Sequence, residues 1–214
     1  MTAPRSRTTL LALALIVAAS WGRRVHAQVD TVGLLPPGYG TLDLNTITMV
    51  MQTSVLEIRF VPLDKRVMRL AKPSVDSAMD QLVARFKTQI QDAADRAGVS
   101  TPGLAMVTFY ATQGGSQFTP QDLRVVTPGR EFAPIGILPF NSNFNSGQLQ
   151  LRQQASALYV FEQTLPVETS FGIGYGPTSS PDAWTPVLET LNREKSRVQA
   201  RAAQAPTTPD SAPH

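Results

Sequence analysis

Leu104-Ala-Met-Val-Thr-Phe-Tyr-Ala111 is apolar on both of its alternating faces and rich in the β-branched and aromatic residues that suit a pleated surface. A run this short is too brief for a buried helix of ordinary length. It reads as a central strand, covered on both sides.

The chain around it carries the same signal. Upstream, Leu42–Met51 is rich in Thr, Ile, Val and Met, Gln52-Thr-Ser54 is a polar turn, and Val55–Val61 alternates. Leu56, Ile58 and Phe60 fall on one side and Glu57 and Arg59 on the other, so this is a hairpin with one wetter face. Downstream, Leu123–Thr127, Phe132–Leu138, Gln148–Arg152 and Ala155–Glu162 are further short runs, with a turn at Pro128-Gly129. Val167, Thr169, Phe171, Ile173 and Tyr175 alternate with Glu168, Ser170, Gly172 and Gly174. Seven or eight short strands separated by turn residues predict a mainly β domain over 41–177, an immunoglobulin-like or related β-sandwich. A mixed α+β sheet with a long helix on one face is the other architecture this pattern allows.

Two regions switch to helical spacing. Asp64 can cap a short helix ending at Ala71. Pro73-Ser74 then opens a longer one whose apolar stripe is Val75, Met79, Leu82, Phe86, Ile90, Ala93 and Ala97, with Gly98 as its stop. This helical insertion occupies about 64–97. A C-terminal helix is predicted at about 182–203, within the segment 178–203. Ser180 can cap it, Pro181 suits a first turn, and Pro186 leaves Thr185 as a second possible start. Trp184, Val187, Leu188, Leu191 and Val198 form its stripe, and Glu189 and Arg193 are spaced to pair. Beyond Leu191 the sequence is mostly polar, so the helix is expected to project or to pack by its first half.

The ends of the chain read differently. Arg5 and Arg7 precede ten apolar residues, Leu10 to Ala19, and Val25-His26-Ala27 is a small-x-small cleavage site. Residues 1–27 therefore read as a signal peptide, too short in its apolar core to span a bilayer. Residues 28–40 form an arm that Leu34, Leu35 and Tyr39 can pin. Residues 204–214, rich in Pro, Ser and Thr, form a tail expected to be disordered. The formal charge of +3 includes four Arg in 1–27; the remainder holds 15 basic and 16 acidic residues. That balance gives no basic footprint for nucleic acid. Export to the periplasm or the extracellular space follows from the signal, with no membrane span after its removal.

The 214-residue chain has no Cys, and its two histidines are His26 and His214, outside the predicted domain. Ser-His-Asp triads, Cys nucleophiles, His-ligated metals and disulfides are thereby removed from its chemistry. Carboxylate pairs are the main His-free route to hydrolysis. Glu57, flanked by Leu56 and Ile58, is the most interesting acid, but Arg59 on the same strand face offers it an ion-pair partner. The Asn141–Gly147 loop lacks the carboxylates that calcium demands. Gln113-Gly-Gly-Ser116 opens no helix, so it is no phosphate cradle, and Gly172-x-Gly174 suits close packing. Lys65, Lys72 and Lys87 read as solvated rather than as partners of a nucleophilic serine. Tyr39, Tyr175 and Trp184 lie near turns; on one exposed face they would stack on a sugar or a side chain, and ordinary packing is the simpler reading.

No catalytic, cofactor-binding or metal-binding residue is assigned, and no cofactor is expected. The leading expectation is an exported, non-catalytic interaction or structural module of the cell envelope or extracellular space, with a protein or glycan partner. The alternative is a carboxylate-dependent hydrolase of an envelope or extracellular polysaccharide. A structural subunit that adds strands to a neighbour is a third reading.

Overall fold

The computed structural model describes residues 33–204. The signal peptide expected at 1–27, the start of the arm and nearly all of the tail lie outside them. Within them are eleven strands in three antiparallel sheets, and four α-helices. The fold is mainly β, a sandwich with a helical insertion and a C-terminal helix.

The larger sheet contains β1 (Met49–Gln52), β2 (Leu56–Pro62), β3 (Gly103–Ala111), β7 (Pro134–Pro139) and β9 (Gln154–Phe161), in the order β1-β2-β3-β9-β7. β3 is its middle strand, as expected; its inner face is apolar throughout, whereas its outer face is apolar at Leu104 and Met106 and polar at Thr108 and Tyr110, so the cover expected on both sides is partial. The second sheet runs β11-β10-β5-β6, built from β5 (Leu123–Thr127), β6 (Arg130–Phe132), β10 (Gly172–Tyr175) and β11 (Thr178–Ser180). A two-stranded ladder joins β4 (Ser116–Gln117) to β8 (Gln148–Leu149). The strand count exceeds the seven or eight visible as runs because four strands have only two or three residues.

Aromatic contacts tie the two large sheets across the core. Phe60 of β2 meets Phe171 at 6.5 Å and Phe109 of β3 meets Tyr175 of β10 at 5.7 Å, both between ring centroids. Phe144, on a 3₁₀ turn at Ser142–Ser146, fills the space beside Phe118 and Phe109. The loop at Asn141–Gly147 is thus a core plug, closed by Gly147 at φ 65°.

The insertion supplies α1 (Lys65–Met68), α2 (Pro73–Arg85) and α3 (Lys87–Ala97). Asp64 caps α1 by accepting from the Arg66 N–H, and Gly98 ends α3 in the left-handed region. The single long helix expected from Pro73 to Ala97 is broken at Phe86, whose φ of −100° and ψ of 9° leave helical geometry. No Pro or Gly marks the break. Phe86 turns inward to stack on Phe140 at 5.6 Å, and α3 then packs on the outer face of β7 and β9. A Cβ on Gly136 of β7 would stand 2.9 Å from the Ala93 Cβ, so this approach needs glycine. Past the break α3 buries Ile90, Ala93 and Ala94, whereas the α2 stripe of Val75, Met79 and Leu82 is only half-buried.

The C-terminal region differs from its sequence reading in three respects. Thr178–Ser180 forms β11, and the helix α4 runs Thr185–Gln204, starting at the later of the two expected positions. Pro186 therefore falls in the first turn, where it costs no hydrogen bond. The regular alternation from Val167 becomes a strand only at Gly172, because Leu165–Phe171 is taken up by turns and by bonds to Trp184. The fully buried Trp184 donates its Nε1–H to the Val167 carbonyl at 2.9 Å and packs on Phe171. Finally, α4 is held well past its first half: Glu194 is 1% exposed and Val198 is fully buried. The polar sequence beyond Leu191 conceals a buried carboxylate.

That carboxylate closes the arm onto α4. Glu194 Oε1 accepts from the Thr41 N–H at 3.2 Å, the Thr41 hydroxyl at 2.8 Å and the Arg201 guanidinium at 2.8 Å. Arg201 also donates to the Tyr39 carbonyl at 2.6 Å. Gly40 threads so close to the Leu70 and Ala71 carbonyls that a side chain there would overlap them. Glu189 does not pair with Arg193; that guanidinium donates to the Thr190 hydroxyl.

Candidate functional site

Antiparallel register fixes which residues share a face of the larger sheet. The inner face is apolar throughout: Met49, Met51, Leu56, Ile58, Phe60, Ala105, Val107, Phe109 and Ala155 meet the second sheet. The outer face consists of four cross-strand rows. One row is Val61, Met106, Leu158 and Leu138, and the next is Leu104, Val160 and Gly136. These two lie at the end of the sheet that α3 covers, and Val61, Leu158 and Val160 are buried.

The other two rows are open. They read Val50, Arg59, Thr108, Ser156 and Gln52, Glu57, Tyr110, Gln154. Here the outward positions become polar or exposed. Arg59 Nε donates to Glu57 at 2.6 Å, Gln52 donates to the other Glu57 oxygen at 2.7 Å, and the Thr108 and Ser156 hydroxyls are 2.8 Å apart. The hydrogen bond from Arg59 holds the Glu57 carboxyl below its ordinary value of 4.5, against the opposing effect of partial burial. Tyr110 stands half-buried between Glu57 and Gln154. Val50 is 48% exposed, one of two large apolar side chains exposed among the described residues.

The other is Leu151, 54% exposed, on the turn before β9. That turn abuts the same end of the sheet: the Arg152 N–H donates to the Ala111 carbonyl at 3.0 Å. Arg152 has φ 65°, the one non-glycine residue in the left-handed region among those described. The β1–β2 and β3–β4 connections join it there. Gln113 donates to the Ser54 carbonyl and Ser116 to the Val55 carbonyl, so three turns are stitched together. Gln113-Gly-Gly-Ser116 is accordingly a strand connection. The result is a polar, amide-rich end carrying Gln52, Gln113, Gln150, Gln153 and Gln154 at exposed positions. Each amide both donates and accepts, which suits contact with hydroxyls or peptide groups.

Of the residues weighed in sequence, Glu57, Arg59 and the Gln113–Ser116 turn lie at this end of the sheet, and the others lie elsewhere. Trp184 is in the core, Tyr175 is half-buried and accepts from the Thr119 N–H, and Tyr39 packs beside α4. They do not form one exposed face. Burial raises the hydroxyls of both Tyr159 and Tyr175 above their ordinary range, and Tyr159 donates to the Pro120 carbonyl. Lys65 bridges Asp76 and Asp80, Lys72 pairs with Asp43, and Arg66 joins Asp64 to Glu168. A shallow polar depression of about 590 Å³ lies between Gly98–Thr101 and Glu162–Thr164, where Glu162 is engaged by Arg130 at 2.5 Å. Among the described residues no three His, Cys, Asp or Glu side chains converge as for a metal, and no helix is long and apolar enough to cross a membrane.

Tyr110, Thr108, Gln154 and Ser156 were not singled out in sequence. The signal was there in outline: along Leu104–Ala111 the outward residues change from Leu104 and Met106 to Thr108 and Tyr110. Comparison with known proteins finds no matching family model, no curated protein and no solved structure with significant similarity to the chain.

Proposed function

We propose that this protein is an exported, non-catalytic interaction module of the cell envelope or extracellular space, and that it meets a protein or glycan partner through the open half of the outer sheet face. One observation carries the reading. Along β9 the outer face changes from buried and apolar at Leu158 and Val160 to polar at the half-buried Ser156 and the exposed Gln154, along β3 it turns from apolar to polar at Thr108 and Tyr110, and there Gln52, Glu57 and Arg59, and separately Thr108 and Ser156, hydrogen-bond one another. Side chains already hydrogen-bonded to one another around an aromatic ring have less conformational freedom to lose on contact, which favours binding.

Neither Glu57 nor Glu194 suits the role of a general acid. A general acid needs a carboxyl held neutral. Glu57 and Glu194 are displaced the other way, toward the charged form, by Arg59 and Arg201. The test uses the protein recovered from the exporting cell, labelled and titrated onto isolated envelope fractions and purified envelope polysaccharide. Tyr110→Ala and Arg59→Ala are expected to weaken retention about tenfold, the size of a modest hot spot. Retention unchanged in both variants overturns the assignment of this face.

A further inference from the structure

The hairpin that carries the open rows also leaves a strand edge unpaired. The Thr53 N–H donates to the Leu56 carbonyl at 2.8 Å, which sets the phase of the β1–β2 ladder. Bonded and non-bonded pairs alternate in an antiparallel ladder. The bonded pairs are therefore Thr53 with Leu56, Met51 with Ile58 and Met49 with Phe60, and Gln52–Glu57 and Val50–Arg59 lie between them. The Thr112 N–H bond to the Val55 carbonyl gives the opposite phase on the other side of β2, as alternation requires. It follows that the N–H and C=O of Val50 and of Gln52 point away from β2. β1 ends the sheet, and these four groups have no hydrogen-bond partner among the described residues.

Other edges of the two large sheets are guarded. β7 begins and ends in proline and has a register shift between Pro134 and Gly136. β6 has three residues, two of them Arg130 and Glu131, and β11 has three residues followed by Pro181. Charge, proline, bulges and shortness are the usual defences of an edge. β1, Met49-Val-Met-Gln52, has shortness alone, and it exposes Val50.

We infer that β1 pairs with β1 of a second copy of this chain, antiparallel about a two-fold axis through Met51. Among two-fold registers this one uses all four free groups: Val50 exchanges two hydrogen bonds with Gln52 of the other copy, and Gln52 exchanges two with its Val50. Val50 then lies against the neighbouring Gln52 stem and is drawn out of water. Glu57 and Arg59 neutralise each other beside the edge, so no net charge opposes the approach. The two open outer faces would join into one surface, and a repeated ligand would bind it with avidity. This inference is independent of which partner that surface takes.

Four residues bury far less than the roughly 1,200–2,000 Å² of a stable interface. The dimer is therefore weak. Sedimentation equilibrium of the exported chain, from about 1 to 500 µM, is expected to show the average mass rising from monomer toward dimer. Val50→Pro removes only an outward N–H and leaves the β1–β2 ladder intact, and it is expected to hold the mass at monomer. Val50→Lys places like charges near the axis and is expected to do the same, which provides a reading should the proline variant fold poorly. A wild-type mass that stays monomeric throughout overturns the inference. So does a dimer that survives Val50→Lys. Contact through the face of a single copy does not require the dimer, and retention measured at concentrations where the chain is monomeric reads that contact alone, so the two readings fail separately.

Discussion

The outer face of the larger sheet divides into halves that share the same strands. In β9, Leu158 and Val160 lie at the covered end, and Gln154 and Ser156 project from the same face at the open end. In β3 the corresponding pairs are Leu104 with Met106 and Thr108 with Tyr110. Backbone pairing is continuous across the boundary, so secondary structure does not distinguish the halves. What changes is the cover. Where α3 packs, the outward positions are apolar and a glycine is needed for close approach; past it they are mostly polar, half-buried or exposed, and several hydrogen-bond one another. The insertion thus acts as a partial lid on an otherwise two-sided sheet, and its limit sets how much of the outer face stays open.

The largest expected effect separates the halves on a single strand. Leu158→Ala empties a fully buried site beneath the insertion and is expected to cost about 2–5 kcal/mol. Ser156→Ala, two residues away on the same face, removes one half-exposed hydroxyl bond to Thr108 and is expected to cost about 0.5–1 kcal/mol. Urea unfolding of the two variants checks both. Similar losses would mean that the open rows are as much a part of the core as the covered ones, and the comparison would collapse.

A second effect concerns the two carboxylates held in the charged form. Burial works against the Glu194 charge, but hydrogen bonds from Arg201 and Thr41 outweigh it and lower its pKa from 4.5. A lowered folded-state pKa means that the unfolded chain takes up protons first as pH falls. The contribution of Glu194 is therefore complete above about pH 4.5 and is lost as pH drops through the folded value below it. Glu194→Gln keeps the shape and removes the charge from a 1% exposed site, leaving Arg201 unmatched against the Tyr39 carbonyl. The expected cost at neutral pH is about 2–3 kcal/mol. The acid limb of the stability curve should flatten in this variant. Limited proteolysis should also show the arm and the end of α4 cut earlier, since the carboxylate joins them.

Much of the sandwich was legible because strand periodicity is local. Val55–Val61 carries its own two faces, and Leu104–Ala111 announces a middle strand without reference to any neighbour. Gly98 and Asp64 mark helix ends by chemistry that acts within one turn. The features that escaped depend on distant partners. The break at Phe86 exists because Phe140, far along the chain, offers a ring to stack on. Glu194 looks like any polar helix residue until Thr41 and Arg201 close on it. The open rows were hidden for the same reason: Thr108 and Tyr110 are ordinary strand residues, and only the extent of the insertion decides that they face water. Alternation from Val167 misled because a strand also needs a neighbour, and Trp184 takes the Phe171 carbonyl instead.

Glu57 provides the smallest expected effect and the sharpest contrast with Glu194. Both are glutamates held toward the charged form by arginine, with partners at 2.6 Å and 2.8 Å. They differ in surroundings. The Arg59 side chain is 52% exposed, so water and salt screen its attraction and reduce the energy that short distance alone would imply. Glu57→Gln is expected to cost about 0.5 kcal/mol or less at neutral pH, and to leave the acid limb nearly as steep as in the unaltered protein. Its sign follows the same linkage as Glu194, with stability present above about pH 4.5 and lost below. The loss should shrink further at high salt, whereas that of Glu194→Gln should not. Urea titrations at low and high ionic strength on both variants make the comparison. Equal salt dependence would mean that the open rows are shielded from solvent, and the surface proposed for contact would then have to be sought at another part of the sheet.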